Sequence, residues 1–172
     1  MTDVIAQEIL KYIGNEFYIF TSLLSADEKT CDNITGVDGS YKKIVKGIEC
    51  CKRNGLKVSL NFTVSRDNVS DLDLIENFVN KYRIDRVSIS RVIPPSYNRN
   101  SEKNILTAEE IKKIADILVD IHKKFHVPVT SSHPLPLCVI GDNEKYDIIE
   151  SQMCRTGVRY CAVNLVTGNV FA

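Results

Sequence analysis

The sequence has no tryptophan, no excess of either charge and no apolar run of membrane length. It holds two Met, three His and eight Gly in 172 residues. Lys plus Arg count 22 and Asp plus Glu count 22, so the formal net charge is zero. That balance argues against a protein whose main partner is the phosphate backbone of nucleic acid. No uninterrupted apolar stretch approaches the roughly 20 residues of a membrane helix, so no membrane partner is expected. Met1-Thr2-Asp3-Val4 brings neither a basic start nor a long apolar segment, so no signal peptide is expected and the location is read as cytoplasmic. What remains is 44% hydrophobic and 26% charged, the composition of a globular domain with a real core.

Six cysteines are many for such a chain: Cys31, Cys50, Cys51, Cys138, Cys154 and Cys161. Without a secretion signal, buried thiols or metal ligands are favoured over a disulfide set. Cys50 and Cys51 are adjacent on a helical segment, about 100° apart around its axis, and read as core and flank thiols. No C-x2-C pair occurs. Cys154 and Cys161, in a Gly-bearing C-terminal stretch, are the pair with the look of ligands. His122, His126 and His133 show no ligand spacing and read as surface residues.

Helix and strand signals alternate. Thr2 caps a helix whose Val4, Ile5, Ile9, Leu10 and Ile13 share one face, and Gly14 stops it. The run 17–22 is aromatic and β-branched, a strand. A polar loop follows from Ser25 to Gly39. A helix from Ser40 ends at Asn54-Gly55. From Leu56 to Val64 apolar residues alternate with Lys57, Ser59, Asn61 and Thr63, the clearest strand. Ser70 caps a third helix, and 86–92 is a third strand. Thr107-Ala108-Glu109-Glu110 is a capping box opening the longest helix. The run 127–130 is a further short strand. This order means right-handed βαβ units and a parallel sheet.

Central parallel strands covered on both faces are apolar on both. Here two of the strands have one face lined by Ser, Asn and Thr. Two readings stand: edge strands with a wet face, or a barrel whose lumen is a polar site. In the second, ligands gather at the carboxyl ends of the strands, around Ser22, the segment 63–68 and the segment 91–95.

Ser22-Leu23-Leu24-Ser25, then Asp32 and Gly36, resembles the segment after the fourth barrel strand of radical SAM enzymes. The likeness runs on through Gly39-Ser40-Tyr41, Asn54-Gly55, Asn61-Phe62-Thr63-Val64, Asn68 and the R-x-x-P of Arg91 to Pro94. Cys154-Arg155-Thr156-Gly157 and Thr167-Gly168-Asn169-Val170 resemble the opening of that superfamily's SPASM or twitch extension, C-x(9–15)-G-x4-C. The second Cys of that motif would follow Ala172 directly. Two departures occur: Leu24 and Ser25 replace the family's Asp-Gly, and Thr35 stands where relatives carry Arg. The family's C-x3-C-x2-C is absent.

The resemblance implies the C-terminal half of a partial (β/α)6 TIM-type barrel over 1–130, with the first three strands ahead of Met1. Residues 131–172 would form a connector and the start of an auxiliary cluster domain. It implies S-adenosylmethionine and [4Fe-4S] clusters as cofactors of the complete enzyme, with the chain alone expected to be inactive and to bind no stable cluster. Ser22 would bond the amino or carboxylate group of the cofactor, Asn61 its ribose with Thr63 beside it on the polar face, and Arg91 would neutralise a carboxylate of the cofactor or of the substrate. Cys154 would be an iron ligand, since thiolates hold such clusters. Ser22, Asn61 and Arg91 have plainer readings, a turn Ser, a satisfied buried amide and a surface ion pair, and Cys161, off the expected spacing, reads as a strand thiol. Asn68 reads as an Asx turn leading to the Ser70 cap. Asp32 and Gly36 read as loop architecture, and Cys138 has no assignment. Expected partners are a peptide or small-molecule substrate, a reductant such as ferredoxin or flavodoxin, and a second copy across the open barrel edge. The rival functions are a non-catalytic α/β module binding a peptide or nucleotide at its strand ends, and a parallel domain whose polar face is an interaction surface.

Overall fold

Five short parallel strands follow one another across a single sheet. The structure is a computed structural model and describes residues 1–93, 103–141, 144–151, 162–163 and 170–171. The strands are β1 (Tyr18–Leu23), β2 (Lys57–Val64), β3 (Arg86–Arg91), β4 (Val129–Ser131) and β5 (Ile149–Ser151), and their spatial order is their sequence order. β6 (Ala162–Val163) and β7 (Val170–Phe171) form a separate antiparallel pair. The helices are α1 (Asp3–Ile13), α2 (Glu28–Thr35), α3 (Ser40–Arg53), α4 (Ile75–Tyr82), α5 (Ala108–Phe125) and α6 (Leu137–Ile140). Right-handed crossovers that always step the same way put successive helices on one face of the sheet. This is the winding of a barrel, and the chain is an α/β sheet of βα units consistent with a partial TIM-type barrel.

The core lies between that sheet face and the helices. Val58, Leu60, Phe62 and Val64 of β2 and Val87 and Ile89 of β3 are all buried. Ile48 of α3, Phe78 and Val79 of α4, and Ile114, Leu118 and Ile121 of α5 meet them. Phe78 stands edge-on to Phe62 with ring centroids 6.0 Å apart. Burying a side chain of this size stabilises the fold by about 1.5–3 kcal/mol.

Caps set the helix ends. Thr2 Oγ1 accepts from the Ile5 N–H, and Gly14 closes α1 at φ 78°. The Thr107 and Glu110 side chains satisfy each other's backbone N–H groups in the expected capping box of α5.

Four features differ from the sequence reading. Residues 28–35, expected as loop, form α2. Its apolar pattern is too short to register, yet Asp27 caps it, Gly36 ends it in the left-handed region and Cys31 anchors it in the core. Ser70 caps nothing; a 3-10 turn, Val69–Leu74, precedes α4. The apolar stripe of α1 is largely exposed, with Ala6 its buried residue. The sheet runs on to β5, three residues being too few for a periodic signal. No helix among the described residues is long and apolar enough to cross a membrane.

Candidate functional site at the strand ends

The face opposite the helices is polar, and the strand register explains it. Ser22 of β1 lies beside Asn61 of β2, which lies beside Ser88 of β3; Thr63 lies beside Ser90. Side chains alternate along a strand, so these five project to the same side. Ser59 and Thr130 join them one step away, and both are buried.

Hydrogen bonds link the row. The Ser90 hydroxyl donates to Asn61 Oδ1 at 2.8 Å, and Asn61 Nδ2 donates to Thr63 Oγ1 at 3.2 Å. Asn61 therefore has its carbonyl engaged and one amide proton left to offer. Thr63 keeps its hydroxyl proton. Ser22 is exposed and its hydroxyl has no hydrogen bond among the described residues. The three together present unspent N–H and O–H donors on one face of the sheet. Ser88 and Ser132 share a hydrogen bond of 3.0 Å nearer the amino ends, where an open depression of about 410 Å³ is lined by Tyr18, Phe20, Ser59, Arg86, Ser88, Thr130 and Ser132. Arg86 closes that end by pairing with Glu150 at 2.7 Å.

Arg91, the fourth expected residue, stands apart. It falls on the opposite strand parity, with Val87 and Ile89. At the strand end its Nη1 donates to the Pro134 carbonyl at 3.1 Å, and burial pulls its pKa down. The structure thus brings Ser22, Asn61 and Thr63 together and sets Arg91 toward β4. Pro94, Cys154, Cys161 and Gly168 lie outside the described residues. Cys50 and Cys51 are buried in the core, and Cys138 is exposed.

The loops behind the site are fixed by polar clamps. Asn68 Oδ1 accepts from the Ser65 N–H at 2.8 Å, while Nδ2 donates to the Thr63 carbonyl at 2.8 Å and to the Leu24 carbonyl. Asn68 therefore ties the end of β2 to the loop after β1, rather than leading into a Ser70 cap. Ser25, at the family's glycine position, is buried and donates to Asp71 at 2.6 Å. Leu24, at the Asp position, packs against the core. Asp32 accepts from the Tyr41 and Gly39 N–H groups and the Ser40 hydroxyl at 2.7–2.8 Å, and these donors hold its carboxyl below the usual range. Asp32 is an architectural clamp, as expected.

Two residues escaped the sequence reading. Ser90 was legible as the parity partner of Thr63. His133 was not: it follows a three-residue strand, and instead of lying on the surface its ring is partly buried, with Nδ1 enclosed and unbonded. A larger depression, about 930 Å³, lies outside the sheet between α1, α3 and α4. Four of its charges are taken up in the pairs Lys42–Glu28 and Arg53–Asp3. Among the described residues no set of three or more His, Cys, Asp or Glu is placed to hold a metal ion.

No family model matches the chain. It is 26% identical over 117 residues to the Fe-coproporphyrin III synthase of Methanosarcina barkeri, covering 68% of this chain and 29% of that protein. It is 32% identical over 106 residues to a probable GTP 3',8-cyclase of Sulfurisphaera tokodaii, covering 61% and 33%. It is 26% identical over 107 residues to an AdoMet-dependent heme synthase of Oleidesulfovibrio alaskensis, covering 62% and 26%. These relatives are radical SAM enzymes. The chain spans a third or less of the length of each. The likeness, at low identity, supports a radical SAM enzyme in general terms.

Proposed function

We propose that this chain is the cofactor-facing part of a radical SAM enzyme, with S-adenosylmethionine held at the carboxyl ends of β1 and β2. The observation that carries the reading is the row Ser22, Asn61 and Thr63, three donors in register on a helix-free sheet face. Ser22 would bond the amino-acid end of the cofactor. Asn61 and Thr63 would bond the ribose oxygens, Asn61 through the amide proton that Thr63 leaves free. Asn68 and Asp32 keep the loops that frame this row in place, so the donors need not reorganise when the ligand arrives.

S-adenosylmethionine held by Ser22, Asn61 and Thr63 would supply, in a complete enzyme, the chemistry of hydrogen-atom removal from substrate. Residues beyond 131 would begin the auxiliary cluster extension, with Cys154 as a thiolate ligand. The peptide substrate expected from the sequence finds no support in the relatives, whose names point to tetrapyrroles and GTP. A small anionic substrate fits them better.

The test is a titration of the chain with S-adenosylhomocysteine, followed by backbone amide NMR. Shifts at residues 22, 61 and 63 are expected, with Asn61→Ala weakening binding at least about tenfold, the loss of one hydrogen bond in a buried site. Shifts confined to other surfaces, or an unaffected Asn61→Ala variant, would sink the reading. Binding of nucleosides without the sulfonium-bearing amino-acid arm would favour a nucleotide-binding module.

A further inference from the structure

Arg91 ends β3, and His133 stands two residues past the end of β4, the neighbouring strand. Both are partly buried. Arg53, Arg66 and Arg86 each meet a carboxylate, Asp3, Glu110 and Glu150 in turn. Arg91 meets none among the described residues; its one hydrogen bond there goes to a backbone carbonyl, that of Pro134. A guanidinium has five N–H donors, so most of its capacity is unspent, and a desolvated cation without a counter-charge is costly. Beside it, Nδ1 of His133 is buried without a hydrogen-bond partner. Buried polar atoms are nearly always bonded, and an orphan marks a missing partner.

The two groups are held in place. The Ser131 hydroxyl donates to the His133 carbonyl at 2.6 Å, and Arg91 itself grips the next residue's carbonyl at 3.1 Å. The loop 131–134 is thereby fixed against β3. Burial, then the Arg91 charge, lowers the His133 pKa, so the ring is neutral at neutral pH and serves as a hydrogen-bonding group. One cation and one neutral ring match a monoanion, and the guanidinium fork matches a carboxylate.

We propose that Arg91 and His133 form a binding site for a carboxylate group of the substrate, at the carboxyl ends of β3 and β4. Arg91 lies on the strand next to β2, on the opposite parity from Asn61 and Thr63, and His133 lies one strand further on, so the pair stands two and three strands from Ser22. This rests on the radical SAM reading for the word substrate, and it narrows that substrate to a carboxylate-bearing molecule.

The chain has three His, so ring resonances are few, and His122, whose Nδ1 bonds the Val127 carbonyl at 3.0 Å, is an internal control. The ring C–H signals are followed in the full chain during titration with succinate, with inorganic phosphate and with S-adenosylhomocysteine. Succinate is expected to shift His133 saturably and leave His122 still. Arg91→Gln should abolish the shift while Arg91→Lys keeps part of it. His133→Phe should weaken succinate binding about tenfold and His133→Gln much less. A His133 response to S-adenosylhomocysteine alone would give the pair to the cofactor and overturn the substrate assignment. A preference for phosphate would overturn the carboxylate, and silence toward all three would overturn the site. If succinate binds His133 while S-adenosylhomocysteine leaves residues 22, 61 and 63 unmoved, the carboxylate site stands and the cofactor reading falls.

Discussion

Asn68 spends its whole side chain on three backbone groups, at Ser65, Thr63 and Leu24. Asn68→Ala would leave two carbonyls and one N–H without partners in a buried place. The expected loss is about 1–3 kcal/mol, read from the urea midpoint. Because the clamp joins the ends of β1 and β2, the same variant should loosen ligand binding at Ser22 and Asn61 as well. A stable variant with unchanged midpoint would show that water replaces the amide. An Asn in a polar stretch after a strand is visible in sequence; that its amide reaches back 44 residues to Leu24 is not.

At the scale of elements, α5 is the strut on which the late strands rest. Asp116 on α5 accepts from Tyr146 at 2.8 Å and from Lys145 at 2.7 Å, in the turn that leads into β5, and from Lys112 at 2.9 Å. Burial works against its ionisation, yet the bonds from Lys145, Lys112 and Tyr146 hold its pKa down at about 2. A folded pKa below the ordinary 3.8 gives stability that is present above that value and lost as pH falls toward about 2. The side chain is partly exposed, so solvent screening leaves about 1 kcal/mol. Asp116→Asn should lower stability by that amount at neutral pH. It should also flatten the decline between pH 4 and 2 in urea melts; a parallel decline in both proteins would exclude the strut. The capping box of α5 was legible because it is local, four consecutive residues with one geometry. The tie from α5 to 144–146 was not, because it spans 30 residues and rests on no periodic pattern.

At the scale of the molecule, β1 is an edge of the five-stranded sheet, and Phe17 and Phe20 beside it are 61% and 65% exposed. Val4, Ile5 and Ile13 of α1 are exposed as well. Unpaired strand edges with apolar flanks invite another strand, and zero net charge does little to oppose it. The polypeptide by itself is therefore expected to associate with a second copy. Light scattering should give a mass above 19.4 kDa that falls toward it in Phe20→Lys. A monomer at all concentrations would refute this.

The sequence by itself determined the parallel βα order, the caps of α1 and α5 and the polar face of β2 and β3, because these follow from periodicity and nearest neighbours. Alternation along β2 also set Asn61 and Thr63 on one face, while the register to β1 that brings Ser22 beside them belongs to the tertiary structure. Tertiary structure alone decided that Arg91 turns away from them to the backbone of Pro134, and that His133 is enclosed beside it. It decided too that the stripe of α1 lies open. Burial and charge compensation depend on what the chain brings near from far along its length, and no local pattern of residues carries that information.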